Sequence, residues 1–256
     1  MASKKKRAYR GSSRKSKRAR QFHESAAGPR QDVAAVIHCE RRALLWATLG
    51  VFLGIFMWTI CIGSEQWVRI TAPGPGIYVN RTKSFFVRSN MGLFRMCRTT
   101  APATTNGSLG PEEGWCWDYT VPGRVSDWSV YRYTRSEVAF CTISMTLLFM
   151  GLGFSVYTFK EPRYMFKRLA GGVHFLSAGV MVVVMEVESN SINYEEKYLS
   201  SRHPKGCRWS FGFSYYFSWI TFCVYITAGL TFIVCSRKRK TLGDPHDDDP
   251  RMIGRI

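Results

Sequence analysis

Four long apolar stretches constrain this 256-residue chain more than any other feature of its sequence. A helix needs about 20 apolar residues to cross the roughly 30 Å hydrocarbon core of a bilayer. A helix of a soluble domain keeps a polar face toward water, and these stretches have almost none. The sequence therefore predicts an α-helical membrane protein built on a four-helix transmembrane bundle. The spans are expected at residues 43–63, 138–159, 169–187 and 213–235.

Basic residues flank these spans on one side of the expected membrane. Arg41 and Arg42 precede the first span, further Lys and Arg residues lie between the second and third, and more occupy residues 237–240. Cytoplasmic loops carry an excess of Lys and Arg. This bias predicts that both termini are cytoplasmic and that residues 64–137 and 188–212 form extracellular loops. The expected location is the plasma membrane.

The N-terminal tail, residues 1–42, contains 13 Lys and Arg residues against 3 acidic residues, within a net charge of +18. Such a patch is typical of nucleic-acid binding. In a protein with four membrane spans, a basic tail is better explained by attraction to anionic membrane lipid, which contributes about 1 kcal/mol per cation near the surface. No nucleic-acid partner is expected. Disorder is expected in this tail and in residues 236–256, with one domain at residues 43–235 between them.

The first predicted loop has the features of a small extracellular domain. Two N-x-S/T tripeptides predict glycosylation at Asn80 and Asn106. Cys97 and Cys116 are the two cysteines of this loop, and because the compartment is oxidising we expect them to form a disulfide. Short β-branched and aromatic runs between Pro, Gly and Asn residues predict an antiparallel sheet. The predicted strands are Glu65–Ile70, Ser84–Arg88, Gly92–Arg98 and Gly114–Thr120.

Several cysteines and glycines lie in or beside the helices. Cys39 and Cys235, at the expected cytoplasmic face, are candidates for palmitoylation. Gly50 and Gly54 form a G-x-x-x-G step, which permits close helix packing within the bundle or against a partner helix. The role of Cys207, in the second predicted loop, is left open: it is either a free thiol or paired with another chain.

Two ionisable residues lie in the third apolar stretch. Glu186 is near its outer end, where the carboxylate could be functional, reach water or bond to the sheet. His174 is closer to the cytoplasmic end, where we expect a hydrogen bond to a neighbouring helix and not a metal. The sequence contains no G-x-S-x-G, H-E-x-x-H, P-loop or paired C-x-x-C motif. We therefore expect no enzymatic activity, no cofactor and no metal site.

A short signature in the first loop carries a family resemblance. Its residues are Trp67, Gly92, Leu93, Phe94, Cys97 and Cys116. They resemble the W…GLW…C…C signature of the claudin, peripheral-myelin and calcium-channel-γ superfamily, with Phe94 where that motif usually has Trp. The later helices, including the Tyr-rich run at residues 215–219, are most similar to those of the calcium-channel γ subunits and related stargazin-like proteins. The resemblance implies a claudin-like fold, in which a strand near residues 206–210 joins the sheet.

The resemblance also implies a function. It predicts an auxiliary, γ-like subunit that associates with a pore-forming ion channel, either a voltage-gated calcium channel or a glutamate receptor, and modulates its gating or trafficking. The alternative is a claudin-like adhesion or junction protein. The apolar residues Phe85 and Phe86 of the first loop could supply contacts between such proteins.

Overall fold

The computed structural model describes residues 36–80, 82–104, 109–118, 128–200 and 202–236. The chain divides into two units, Met1–Trp46 and Ala47–Ile256. The described part of the first unit is helical. The second unit contains the sheet and almost all of the helical bundle, and the contacts given below lie within it.

Four helices in the described residues are long and apolar enough to cross a membrane, which confirms the predicted bundle. They are α1 (Val36–Gly63), α2 (Trp128–Lys160), α3 (Tyr164–Tyr198) and α4 (Phe213–Val234). The predicted bounds were too short for three of them. Helix α1 begins inside the tail that was predicted to be disordered, and α2 begins and α3 ends inside segments predicted to be loops. Hydropathy detects the apolar layer, whereas backbone hydrogen bonds continue a helix beyond it.

Helix α3 packs against both α2 and α4. The bundle interior is filled by large side chains with no exposed surface, including Trp58, Leu148, Met181, Tyr225 and Phe232. Helices in lipid associate through close packing and hydrogen bonds, because lipid tails are as apolar as the side chains. Many apolar side chains of α1 and α4 remain on the outside, as expected of surfaces that face lipid.

Three hydrogen bonds between buried groups connect different helices of the bundle. The indole Nε1 of Trp58 donates to Ser144 Oγ at 2.9 Å, and the hydroxyl of Tyr225 donates to the carbonyl oxygen of Val51 at 3.1 Å. Ser155 Oγ and His174 Nε2 are 2.8 Å apart, joining α2 to α3 as the sequence predicted for His174. Because lipid offers no hydrogen bonds, such pairs remove the cost of unsatisfied groups.

The sheet has six antiparallel strands in the described residues. They are β1 (Val68–Thr71), β2 (Ile77–Val79), β3 (Ser84–Met91), β4 (Arg95–Pro102), β5 (Glu113–Asp118) and β6 (Arg208–Phe211). The order is β5-β4-β3-β1-β6, with β2 paired to β3. Strand β6 occurs close to where the family resemblance placed it. The sequence missed β2, a three-residue strand among Pro and Gly residues.

One face of the sheet is apolar and joins the core of the bundle. Alternation along the strands places Val68, Ile70, Met91 and Met96 on this face, and all four are buried. They belong to the same cluster as Trp58, in α1. On the opposite face several strand side chains are exposed. The two layers therefore share one continuous core.

Candidate functional site

Trp67 lies where α1, the sheet and α4 meet. Its indole Nε1 donates to the carbonyl oxygen of Cys61 at 2.6 Å, and its ring stands edge-on to Trp58 with centroids 6.3 Å apart. Its backbone N–H donates to Met91 and its carbonyl oxygen accepts from Gly212. Trp67 has no exposed surface. The first residue of the family signature thus joins three elements that are distant in sequence.

Residues 92–94 form the turn between β3 and β4, and not the start of a strand as predicted. The N–H of Gly92 donates to the carbonyl oxygen of Arg95 at 2.9 Å. A Cβ atom at Gly92 would overlap the carbonyl oxygen of Ser64, so the turn can approach the end of α1 only with glycine there. Leu93 is fully buried and Phe94 is half-buried against the core.

The two loop cysteines lie on the opposite face of the sheet from this core. Cys97 and Cys116 are directly opposed on β4 and β5 and form a disulfide. Glu65 lies beside them and pairs with Arg95 at 3.3 Å. Glu65 and the two sulfur atoms are the one cluster of metal-ligating atoms among the described residues. Because the sulfurs are bonded to each other, they are not available as thiolate ligands.

A layer of buried ionisable residues, which sequence reasoning missed, lies at the sheet-side ends of α2 and α3. Glu137, Glu188 and Glu195 are each at most 3% exposed. The carboxyl groups of Glu137, from α2, and Glu188, from α3, are neighbours in this layer. Arg202 Nη1 donates to Glu195 at 2.6 Å, and His203 Nε2 lies 3.8 Å from the same carboxylate.

The sequence did contain a signal for this layer. Met181, Met185, Glu188, Ile192 and Glu195 follow one another at steps of four and three residues and are all buried. This spacing places them on one stripe of a helix. The stripe continues past the apolar stretch, so the acids belong to the buried face. By contrast Glu186, which the sequence analysis singled out, is exposed.

Burial shifts the titration of three groups beside the sheet. It lowers the pKa of His203 to about 4, because a charged imidazole there would lose its hydration. Burial also lowers the pKa of Arg98, and the charge of Arg202 lowers it further. The pKa of the Cys207 thiol is raised, again mainly by burial. Cys207 has no disulfide partner within the described part of the chain.

The remaining candidate residues are dispersed. Asn80 is exposed just after β2, whereas Asn106 lies outside the described residues. Cys39 is exposed and Cys235 is half-buried. A Cβ atom at Gly54 would come within 2.7 Å of the Tyr225 ring. The G-x-x-x-G step therefore faces α4, inside the bundle.

Comparison with known proteins agrees with this architecture. The family model for PMP-22/EMP/MP20/claudin tight-junction proteins matches residues 52–234, which include all six signature positions from Trp67 to Cys116.

The chain belongs to this family.

The chain is also similar to the voltage-dependent calcium channel gamma-5 subunits of mouse, rat and human. It is 24% identical to the mouse and rat proteins and 23% identical to the human one, in each case over 223 residues. The matches cover 83% of this chain and 77% of each relative. The chain is thus a multi-pass membrane protein with the claudin-family fold.

Proposed function

We propose that this protein is an auxiliary subunit that associates with a pore-forming ion channel, a voltage-gated calcium channel or a glutamate receptor, and modulates its gating or trafficking. The observation that carries the proposal is the similarity to calcium channel gamma-5 subunits along 83% of the chain. The bundle interior supports the same role. Two of its buried polar contacts, Trp58–Ser144 and Ser155–His174, are hydrogen bonds between helices, as expected of a packed bundle that acts on a neighbour.

A partner surface is available beside the sheet. Strand β6 is an edge of the sheet, and only Gly212 separates it from α4. The side chains of Tyr216, Phe217 and Ile220 at the start of α4 are 60%, 39% and 54% exposed. A membrane partner could contact this helix and the sheet edge together. Such contacts change gating only if they differ between the channel's states.

Affinity purification from native membranes in mild detergent tests the association. We expect pore-forming subunits of a calcium channel or glutamate receptor to co-purify with the wild-type protein. Replacing Tyr216 and Ile220 by alanine should reduce their recovery. Alanine at Leu176, which is 56% exposed on α3, is the matched control and should leave recovery unchanged. Consistent absence of both channel types would refute the proposal.

A second candidate, adhesion between cells, is favoured by the claudin family match. Phe86 cannot serve it as the sequence suggested, because that side chain is fully buried, and Phe85 packs edge-on against Tyr78 at 5.3 Å. Tyr78 and Trp115 are the exposed aromatic candidates instead. Adhesion predicts enrichment at cell contacts only when both neighbouring cells express the protein. Enrichment that needs one expressing cell would argue against it.

The proposed topology places both tails in the cytoplasm of a plasma-membrane protein, with residues 1–42 on anionic lipid. N-glycans on Asn80 and Asn106 would show that the first loop is extracellular. Enzymatic removal of N-glycans should then lower the mass of the wild-type protein but not that of a variant lacking both asparagines. Equal binding of a 1–42 peptide to vesicles with and without anionic lipid would contradict the lipid contact.

A further inference from the structure

A cavity of about 500 Å³ opens on the sheet, beyond the ends of the helices. Its lining comes from β2, β3, β4, β5 and the segment just after α3, where Ser200 lies. Its volume is in the range of pockets that hold small ligands. The cavity lies on the other face of the sheet from the disulfide, because Arg98 and Cys97 are neighbours in one strand and their side chains alternate.

The floor of the cavity pairs a cation with an aromatic ring. The guanidinium carbon of Arg98 lies 4.7 Å from the ring centroid of Phe86, and Arg98 Nη2 donates to the carbonyl oxygen of Arg202 at 3.2 Å. These two contacts hold the side chain in place. Arg98 is the charged residue among those described in the lining. A guanidinium binds carboxylates through a planar pair of N–H donors, so the site suits an anion.

Aromatic and hydroxyl groups complete the walls. Trp115 lies directly opposite Arg98 in the register of β4 and β5, is half-exposed, and stacks on Trp117 with centroids 4.3 Å apart. Thr100 lies opposite Phe86. The hydroxyls of Thr82 and Ser84, 2.9 Å apart, line the same cavity. Hydroxyls both donate and accept hydrogen bonds, while an indole face packs against apolar C–H groups.

We propose that this cavity binds a carboxylate-bearing sugar, with the carboxylate on Arg98, the ring against Trp115 and the ring hydroxyls on Thr100 and Ser84. A lone acidic side chain of a protein would use the guanidinium and leave the hydroxyl-lined wall unused. A sugar acid matches both. Glu113 lies opposite Thr100 in the register of β4 and β5, and its exposed carboxylate weakens anion binding without blocking it.

The sugar has two conceivable sources. Val79 and Thr82 both line the cavity and flank Asn80, the exposed position of the first predicted glycosylation site. A glycan on Asn80 would begin close to the opening, so the occupant could be the protein's own glycan. The other source is a glycan of a neighbouring molecule. The chemistry of recognition is the same in both cases.

The test uses the full-length protein in lipid nanodiscs, made in cells that cannot add sialic acid. The probe is the α-methyl glycoside of N-acetylneuraminic acid, followed by saturation-transfer NMR and titration. We expect millimolar binding by wild type and at least about tenfold weaker binding by Arg98→Gln, which loses the charge-assisted pair. Arg88→Gln is the matched control, since Arg88 is exposed on the other face and pairs with Glu112. Glu113→Gln should bind more tightly.

Further variants keep the result interpretable if Arg98→Gln does not fold. Trp115→Ala and Thr100→Val alter the walls and should each weaken binding by about threefold or more. The uncharged methyl ester of the probe should not bind. The proposal would be overturned if the wild type did not bind the probe, or if it bound the methyl ester or N-acetylglutamate as tightly as the probe. It would also be overturned if Arg88→Gln lost as much affinity as Arg98→Gln. The source of the sugar is tested on fully glycosylated protein, whose probe binding is measured before and after treatment with sialidase. Binding that recovers after the treatment would identify the protein's own glycan as the occupant. Binding that is unchanged by the treatment would identify a glycan of a neighbouring molecule.

Discussion

Trp67 donates its indole N–H to the carbonyl oxygen of Cys61 at 2.6 Å, in the last turn of α1. Both residues are buried. The bond ties the start of the sheet to the end of the first helix. Because the indole also packs on Trp58, one side chain couples the two layers of the molecule.

Replacing Trp67 by phenylalanine should destabilise the protein by about 2–4 kcal/mol, since the change removes the hydrogen bond and leaves a gap in the core. Thermal unfolding in a mild detergent measures the effect. Trp219, which is 38% exposed on α4, supplies the control. Its replacement by phenylalanine should shift the midpoint little, and an equal shift in both variants would contradict the role given to Trp67.

Alanine at Gly92 should prevent normal folding or cost several kcal/mol, because its Cβ atom would overlap the backbone of Ser64. Alanine at Gly63 is the matched control, since a Cβ atom there meets no atom within 4 Å. Yield of monodisperse protein after size-exclusion chromatography distinguishes the two. Normal yield from the Gly92 variant would show that the turn can move away from α1.

Removing one partner of the buried Arg202–Glu195 pair should cost about 3–5 kcal/mol, because the other charge stays buried without compensation. The side chains are 13% and 1% exposed. We therefore expect Glu195→Gln to lower the unfolding midpoint strongly. Arg163→Ala, which breaks the exposed pair with Glu161, should cost less than about 1 kcal/mol. Comparable losses in the two variants would contradict the burial of the first pair.

Acid should weaken the fold through His203. Its pKa is about 4 in the folded state against an ordinary value of 6.5, so the unfolded state binds more protons between these pH values. Stability is therefore full above about pH 6.5 and falls as the pH drops toward 4, by about 3 kcal/mol in total. The wild type should lose more stability over this range than His203→Gln. Identical pH profiles for the two proteins would show that His203 is not buried in its neutral form.

The apolar runs predicted the four helices because the membrane requirement is local: length and composition decide it. The signature residues Trp67 and Gly92 were also recognisable, although the sequence did not reveal their contacts. The burial of Glu188 and Phe86 was not foreseen. Both side chains are covered by elements far away in sequence, and the sheet register that covers Phe86 includes an irregularity between Phe86 and Arg88.

The cavity was likewise beyond prediction. Its lining residues come from separate segments, among them Arg98, Trp115 and Ser200. The sequence around each of them does not distinguish it from an ordinary surface residue. Only the pairing of β4 with β5 and the return of the chain after α3 bring them together. Non-local pairing of this kind depends on the whole fold, which a pattern within one segment does not contain.

The most direct test of the proposed channel function is the recording of calcium-channel and glutamate-receptor currents with and without this protein. Pore-forming subunits are expressed alone, with the wild-type protein, or with the variant that carries alanine at Tyr216 and Ile220. We predict that the wild type changes the current amplitude or the gating kinetics of one channel type, and that the α4 variant has a reduced effect at equal surface expression. Unchanged currents in both channel types, together with the absence of co-purifying channel, would contradict the proposed function.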